Sequence, residues 1–506
     1  MILIFWLYTF AAAGLALYGF NTLLTLWLYW RKRHETTPLP ARKSSPHVTV
    51  QLPIYNELYV VERLIDAAAA LAWPRARLEI QVLDDSDDET TAIAQARVDY
   101  FRKLGYDITL IHRTDRGGFK AGALAAGLAQ ARGEFIAIFD ADFVPPRDFL
   151  TKTIPYFATG PQIGLVQTRW GHLNDTYSPL TRAQSIALDG HFVVEQTARS
   201  RNGLFFNFNG TAGVWRRGCI QDCGGWQGDT LSEDLDLSYR AQMRGWQFLF
   251  LPNVVSPAEI PPQIHAFKRQ QYRWAKGSTQ CLMKLAPTVI RHREESLFKR
   301  VEGLLHLSGY LVHPMMLILL ITLVPLLAAG AHFPAIMAYF SLAMFGPIGV
   351  YALSQRAVYP DWGARFRYFG FLILIGTGIA LNNSFAVIGA LTRTGNNFRR
   401  TPKFRVEGGE DSWTAKRYAL PFSWEALGEL AVCGYALLGV VIAWQNDFVW
   451  SAPFLILYAA SFGFTGVLSL WHSRSGFQTK GLEEISDQRS RGDFRLSMFI
   501  NPKSEI

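Results

Sequence analysis

The placement of the apolar runs constrains this chain more than any other feature. Residues 2–30 are almost wholly apolar and carry no charge. Five further apolar stretches follow Arg300, at 301–330, 333–353, 368–391, 427–444 and 449–471. A helix needs about 20 apolar residues to cross a bilayer, and only helices or closed barrels satisfy every backbone group there. The two ends of the chain therefore belong to a multi-pass membrane protein, while residues 31–300 have the composition of a water-soluble domain. A cleaved signal peptide has a basic start and a shorter apolar core. Here the basic cluster Arg31-Lys32-Arg33 follows the run, which directs the N-terminus outward and the middle domain into the cytoplasm at a cell (inner or plasma) membrane.

The same charge rule bears on the number of spans. The loop 392–416 carries Arg393, Arg399, Arg400, Lys403, Arg405 and Lys416. If all five later stretches crossed, this loop would lie outside, against the rule. Stretch 368–391, interrupted by Asn382, Asn383 and Ser384, is expected not to cross. It would lie at the interface or be re-entrant, with its polar groups buried in protein. Five true spans remain, counting the first, with the tail 472–506 cytoplasmic. The net charge of +9 is explained by residues flanking the apolar runs, and nucleic acid is not an expected partner. Cys219, Cys223, Cys281 and Cys433 have neither a disulfide framework nor zinc spacing and read as structural thiols.

Between residues 46 and 257 the chain alternates strand-like and helix-like stretches. Strands are expected at 47–53, 78–83, 108–111 and 135–139, with helices at 58–72, 90–104 and 120–131 between them. This is a doubly wound, Rossmann-like α/β domain with a largely parallel sheet, in which ligands bind beyond the carboxyl ends of the strands. Helices near the membrane surface are expected at about 178–200 and 263–285.

The acidic motifs sit at those strand ends. Asp140 and Asp142 follow an apolar strand with one residue between them, a spacing that lets two carboxylates share Mg2+ or Mn2+ and bridge to phosphates. Asp84 and Asp85 end the second strand, where they can accept from a nucleobase or ribose or cap the next helix. Lys120, after Gly117-Gly118, can neutralise a phosphate. Asp234, in Ser232-Glu233-Asp234, can serve as a general base or as a helix cap. In the amphipathic stretch 265–285, Gln270, Arg273 and Trp274 combine a guanidinium for a diphosphate with a flat apolar face for a sugar ring, or anchor the helix at the membrane.

These motifs, together with Gln167-Thr168-Arg169-Trp170, Val194-Glu195-Gln196 and Phe208-Asn209-Gly210-Thr211, resemble the processive, membrane-embedded, inverting family-2 glycosyltransferases of the GT-A fold, typified by cellulose and hyaluronan synthases. The likeness is greatest to the cellulose synthase-like A and C branches, which make β-1,4-linked mannan, glucomannan or glucan. It spans roughly residues 46–284. The resemblance implies that Asp84 and Asp85 bind the nucleoside and that Asp140 and Asp142 hold the metal. It makes Asp234 the base, and gives Gln270, Arg273 and Trp274 the diphosphate and the acceptor end. Residues 398–403 resemble the loop that closes over the donor in such synthases, which adds Thr401 and Lys403 to the binding set; Arg400 stands where that pattern has Val. The expected partners are a nucleotide-sugar donor, a growing glycan or lipid acceptor, and the bilayer. The commonness of glucan synthesis places UDP-glucose ahead of GDP-mannose as donor. Two competing readings are a non-processive enzyme making a glycolipid, as ceramide glucosyltransferases do, and a non-catalytic scaffold or transporter.

Overall fold

The computed structural model describes residues 1–42, 44–395, 398–408, 411–414 and 416–490, with side chains described as far as Ser473 except at position 336. Its middle domain is built on a sheet of seven strands: β1 (Val48–Ile54), β2 (Leu78–Asp84), β3 (Asp107–His112), β4 (Phe135–Ile138), β5 (Ile163–His172), β6 (Gly213–Arg216) and β7 (Gln247–Ala258), in the order β3-β2-β1-β4-β6-β5-β7. Helices α2 (Val61–Ala69), α3 (Thr90–Lys103) and α4 (Phe119–Gln130) connect the first four strands, which run parallel. Strand β6 is antiparallel to both β4 and β5, while β5 and β7 pair in parallel, so the sheet is largely parallel with one reversed strand.

The central strands are apolar on both faces because helices cover both sides. In β4, Phe135 and Ala137 join one apolar cluster while Ile136 and Ile138 join the other. Fully buried Trp215 packs edge-on to Phe208, Trp226 and Phe248 on the second face. Removing a core aromatic of this kind costs about 3–5 kcal/mol.

Among the described residues, six helical segments are long and apolar enough to cross a membrane: α1 (Ile2–Lys32), Gly309–Ala328, Met337–Val358, Trp362–Leu391, Glu425–Gln445 and Val449–Ser473. Large apolar side chains such as Trp6, Leu437 and Trp471 are exposed on their outer surfaces. Trp362–Leu391 differs from the others. It is broken into Trp362–Phe366, Phe369–Gly378 and Ala380–Leu391. Its Asn382, Asn383 and Ser384 are buried. Near its start, Arg365 pairs with Asp175 at 2.9 Å. Just beyond its end, the carbonyls of Thr394 and Gly395 accept from Lys276 at 2.9 and 3.0 Å. Asp175 and Lys276 both belong to the middle domain, so this segment leaves that domain and returns to it. Its first half packs on the apolar faces of helices Pro179–Asp189 and Ile264–Arg291. The last helix runs on to Ser490; positions 491–506 of the expected tail lie outside the described residues.

Candidate active site

Two neighbouring cavities lie on the domain, the smaller at the carboxyl ends of β1, β2 and β4. The smaller, about 80 Å³, is lined by Asp85, Arg116, Phe119, Lys120 and Asp140 from the domain, by Arg273, and by Phe398, Arg400, Thr401 and Lys403 from the loop beyond the broken segment. The turn after β4 is held by Thr211, whose hydroxyl accepts from the Asp140 N–H at 2.9 Å. Asp140 and Asp142 are both paired with lysines: Lys120 Nζ lies 2.6 Å from Asp140, and Lys403 Nζ lies 2.6 Å from Asp142. Asp140 keeps a side chain 31 % exposed on the cavity wall. Lys120 also donates to the Gly210 carbonyl at 2.8 Å. Burial pulls its ammonium down, but Asp140 and Glu233 together hold it above its ordinary range.

The loop is drawn onto the site by charge and by ring contacts. Phe398 stacks on Phe119 with centroids 5.4 Å apart, and the Arg273 guanidinium lies 5.0 Å from the same ring. Glu259 accepts from the N–H groups of Phe404 and Arg405 at 2.9 and 2.8 Å. Arg400 lies 3.4 Å from Glu57. Glu57, Asp142 and Glu259 thus form an acidic cluster that Arg400 and Lys403 enter as counter-ions. Burial, assisted by Asp142 and Glu259, pushes the Glu57 carboxyl up to about 7 against Arg400 and Lys403. Burial pulls the Lys403 ammonium down, but Asp142, Glu57 and Asp140 hold it above its ordinary range.

The larger cavity, about 460 Å³, is lined by Asp234, Gln270, Trp274, Trp170, His191 and Glu195, and by Tyr310, His313, Tyr351 and Ile375 from the apolar C-terminal part. Helix Ile264–Arg291 serves both cavities. Positions four apart share a helix face, so Gln270 and Trp274 line the larger cavity while Arg273, on a neighbouring face, lines the smaller. The helix comes close to the Ser232–Asp234 turn because position 277 is glycine: a Cβ there would lie 2.2 Å from Ser232 Oγ.

Asp234 stands where the cavities adjoin. Gly210, at φ +79°, separates it from Lys120; a Cβ at Gly210 would lie 3.1 Å from Asp234 Oδ2 and 3.3 Å from Lys120 Nζ. Asp234 begins helix Glu233–Met243 and accepts from the Leu235 N–H at 2.8 Å. Burial, with Glu233 adding its charge, pushes the Asp234 carboxyl up to about 7 against the pull of Lys120. A carboxyl poised there can exchange a proton near neutral pH.

Of the residues expected from sequence, Asp85, Lys120, Asp140, Arg273, Thr401 and Lys403 meet at the smaller cavity, and Asp234, Gln270 and Trp274 at the larger. Asp142 sits just behind, under Lys403. Asp84 is set apart. It is fully buried, and its oxygens accept from Ser86 N and Thr91 Oγ1 and meet His112 Nδ1, at 3.0, 2.7 and 2.9 Å. It braces the turn rather than facing the cavity. Asp85 lines the wall with both oxygens held by Arg113, at 2.7 and 2.6 Å. Sequence reasoning did not single out Glu57 or Glu259, which line or adjoin the smaller cavity. Glu57 could have been found, since it follows the end of β1 as the other acidic motifs follow β2 and β4.

Residues 46–277 match the family described as "Glycosyltransferase like family 2" and form a family-2 glycosyltransferase domain. The chain is 43 % identical over 263 residues to a probable glucomannan 4-beta-mannosyltransferase 7 of Oryza sativa subsp. japonica, covering 51 % of this chain and 45 % of that one. It is 40 % identical over 286 residues to glucomannan 4-beta-mannosyltransferase 2 of Arabidopsis thaliana, covering 54 % of each. The chain therefore spans about half the length of the curated relatives it matches. Among solved structures, a mannosyltransferase from Pyrobaculum calidifontis in complex with GDP-Man and Mn2+ shares the fold, with a TM-score of 0.53 and 23 % identity over 77 % of this chain and 100 % of that one.

Proposed function

We propose, from a family-2 glycosyltransferase domain seated on membrane-length helices, that this protein is an inverting hexosyltransferase that polymerises a nucleotide sugar into a β-1,4-linked mannan or glucomannan at the membrane. One observation carries the reading. A basic, loop-covered cavity whose lysines and arginines suit a diphosphate group adjoins a larger cavity suited to a glycan, with Asp234 at the junction. The relatives' names favour GDP-mannose over UDP-glucose as donor.

In this reading the diphosphate lies in the smaller cavity against Lys120 and Arg273, which offset its charge as it leaves. Asp140 and Asp142 would hold Mg2+ or Mn2+ through their hard carboxylate oxygens. The metal, when bound, supplies further charge to the leaving diphosphate. Lys120 and Lys403 are paired with these carboxylates. Trp274 offers its face to the terminal sugar of the acceptor, and Gln270 offers an amide for a hydroxyl. Asp234 takes the proton from the acceptor hydroxyl as that oxygen attacks the anomeric carbon. An α-linked donor then yields a β-linkage.

The layout also supports five spans. Both ends of Trp362–Leu391 contact the catalytic domain, which keeps the loop 398–405 on the side where the donor binds. Residues 31–300 form the cytoplasmic domain, with Pro179–Arg201 and Ile264–Arg291 as its interface helices. Residues 301–471 form the membrane part. The test supplies labelled GDP-mannose and UDP-glucose in parallel to the purified protein in nanodiscs with Mn2+. Incorporation from GDP-mannose is expected, and incorporation from neither donor would overturn the reading.

A further inference from the structure

A third cavity, about 740 Å³, lies away from the active site, where α1 and helix Phe345–Val358 end against the catalytic domain. Four arginines line it: Arg33 from the end of α1, Arg356 from the end of the other membrane-length helix, and Arg169 and Arg201 from the domain. Its single acidic residue is Glu35, which pairs with Lys32 at 3.8 Å. None of the four arginines forms an ion pair with a carboxylate among the described residues. Three of them donate to backbone carbonyls: Arg33 to Trp30, Arg169 to Pro252 and Arg201 to Lys32, at 2.9, 2.9 and 2.8 Å. Asp189, the carboxylate whose charge Arg169 feels, is already engaged by His172 and Gln355 at 2.9 Å each.

Four positive charges converge on one cavity with a single carboxylate, Glu35, on its wall, so they repel one another, and an anion there would relieve that repulsion. The position selects the kind of anion. Trp27 and Trp30, 51 % and 57 % exposed, mark the end of α1, and tryptophans of this kind sit at the headgroup level of a bilayer. Trp30, Leu353 and Val358 add apolar wall beside the arginines.

We propose that this cavity binds the phosphate-bearing headgroup of an anionic phospholipid. Basic pockets between membrane helices on the cytoplasmic side take such headgroups, and guanidinium forks suit phosphate oxygens. The site has a route to the acceptor cavity. In the π-helical turn Gly190–Gln196, Val193 lines the lipid cavity while His191 and Glu195 line the acceptor cavity. A bound lipid braces that turn from behind. The proposal does not depend on which sugar is transferred.

The experiment reads lipid retention directly. Full-length protein in nanodiscs of equimolar phosphatidylcholine and phosphatidylglycerol is released for native mass spectrometry. The expected result is one retained phosphatidylglycerol, little retained phosphatidylcholine, and about thirtyfold weaker retention in the double variant Arg33→Gln/Arg356→Gln, from roughly fivefold for each surface arginine. An Arg77→Gln control, on an exposed face of the domain, should retain lipid as the parent does. If the double variant does not fold, Arg356→Gln alone gives the same test with about fivefold weakening. Equal retention of both lipids, or undiminished retention in the variants, overturns the proposal. So does displacement of the retained phosphatidylglycerol by inorganic phosphate, which would assign the cavity to a soluble anion.

Discussion

The elevated Asp234 carboxyl makes a quantitative claim about pH. A base must be ionised to act, and Asp234 is pushed up to about 7. One pH unit below that value about one tenth of the molecules carry the ionised base, and two units below about one hundredth. The rate of hexose transfer expressed as kcat/KM should therefore fall about tenfold for each unit of acidification below about 7. An ordinary carboxylate would stay ionised over the same range. Glu233 raises the Asp234 carboxyl and Lys120 lowers it, so Glu233→Gln should move the acid limb to lower pH. Asp234→Asn removes the base, and transfer should drop by about 10²–10⁴, or roughly 3–5 kcal/mol of transition-state stabilisation. The assay is initial-rate incorporation of labelled sugar by protein in nanodiscs, at each pH with saturating Mn2+. A profile flat from neutral to acid pH, or an Asp234→Asn variant with the parent's rate, refutes the assignment.

Other predictions concern the parts around that base. Gly277→Ala would place a Cβ 2.2 Å from Ser232 Oγ, so the Ser232–Asp234 turn must shift; a lowered Tm and at least about tenfold less transfer are expected despite the gain of roughly 1 kcal/mol in helix propensity. Phe398→Ala removes the stack on Phe119 and the contact with Arg273; a loss of about 1–2 kcal/mol predicts roughly tenfold weaker donor binding by calorimetry. Lys403→Met leaves Asp142 beside Glu57 and Glu259 without its lysine; breaking a buried pair costs about 3–5 kcal/mol, and faster hydrogen exchange across 398–405 should follow. Chelation with EDTA should abolish transfer, and added Mn2+ or Mg2+ should restore it.

Local pattern made the first half of the catalytic domain legible. The expected strands at 78–83 and 108–111 lie within β2 and β3, because short runs rich in apolar and β-branched residues carry a strong signal. Strands β5 to β7 were not foreseen. The four-residue β6 pairs antiparallel with partners far away in sequence, and no local periodicity encodes such pairing. The carboxylates at 140 and 142, Asp234 and the 270–274 motif were visible because their chemistry needs those residue types at strand and helix ends. Asp84 read like Asp85 because the sequence cannot tell which of two adjacent side chains points inward. Glu57 and Glu259 went unnoticed because their meaning depends on a loop nearly 150 residues further along the chain from Glu259.

The central claim is polymer synthesis, and product size tests it most directly. Protein in nanodiscs with Mn2+ would receive labelled GDP-mannose with and without added lipid acceptor, and the products would be separated by size and by solvent extraction. The account predicts label in long, lipid-free chains that a β-1,4-mannanase degrades. Label confined to a solvent-extractable product carrying one sugar would contradict it.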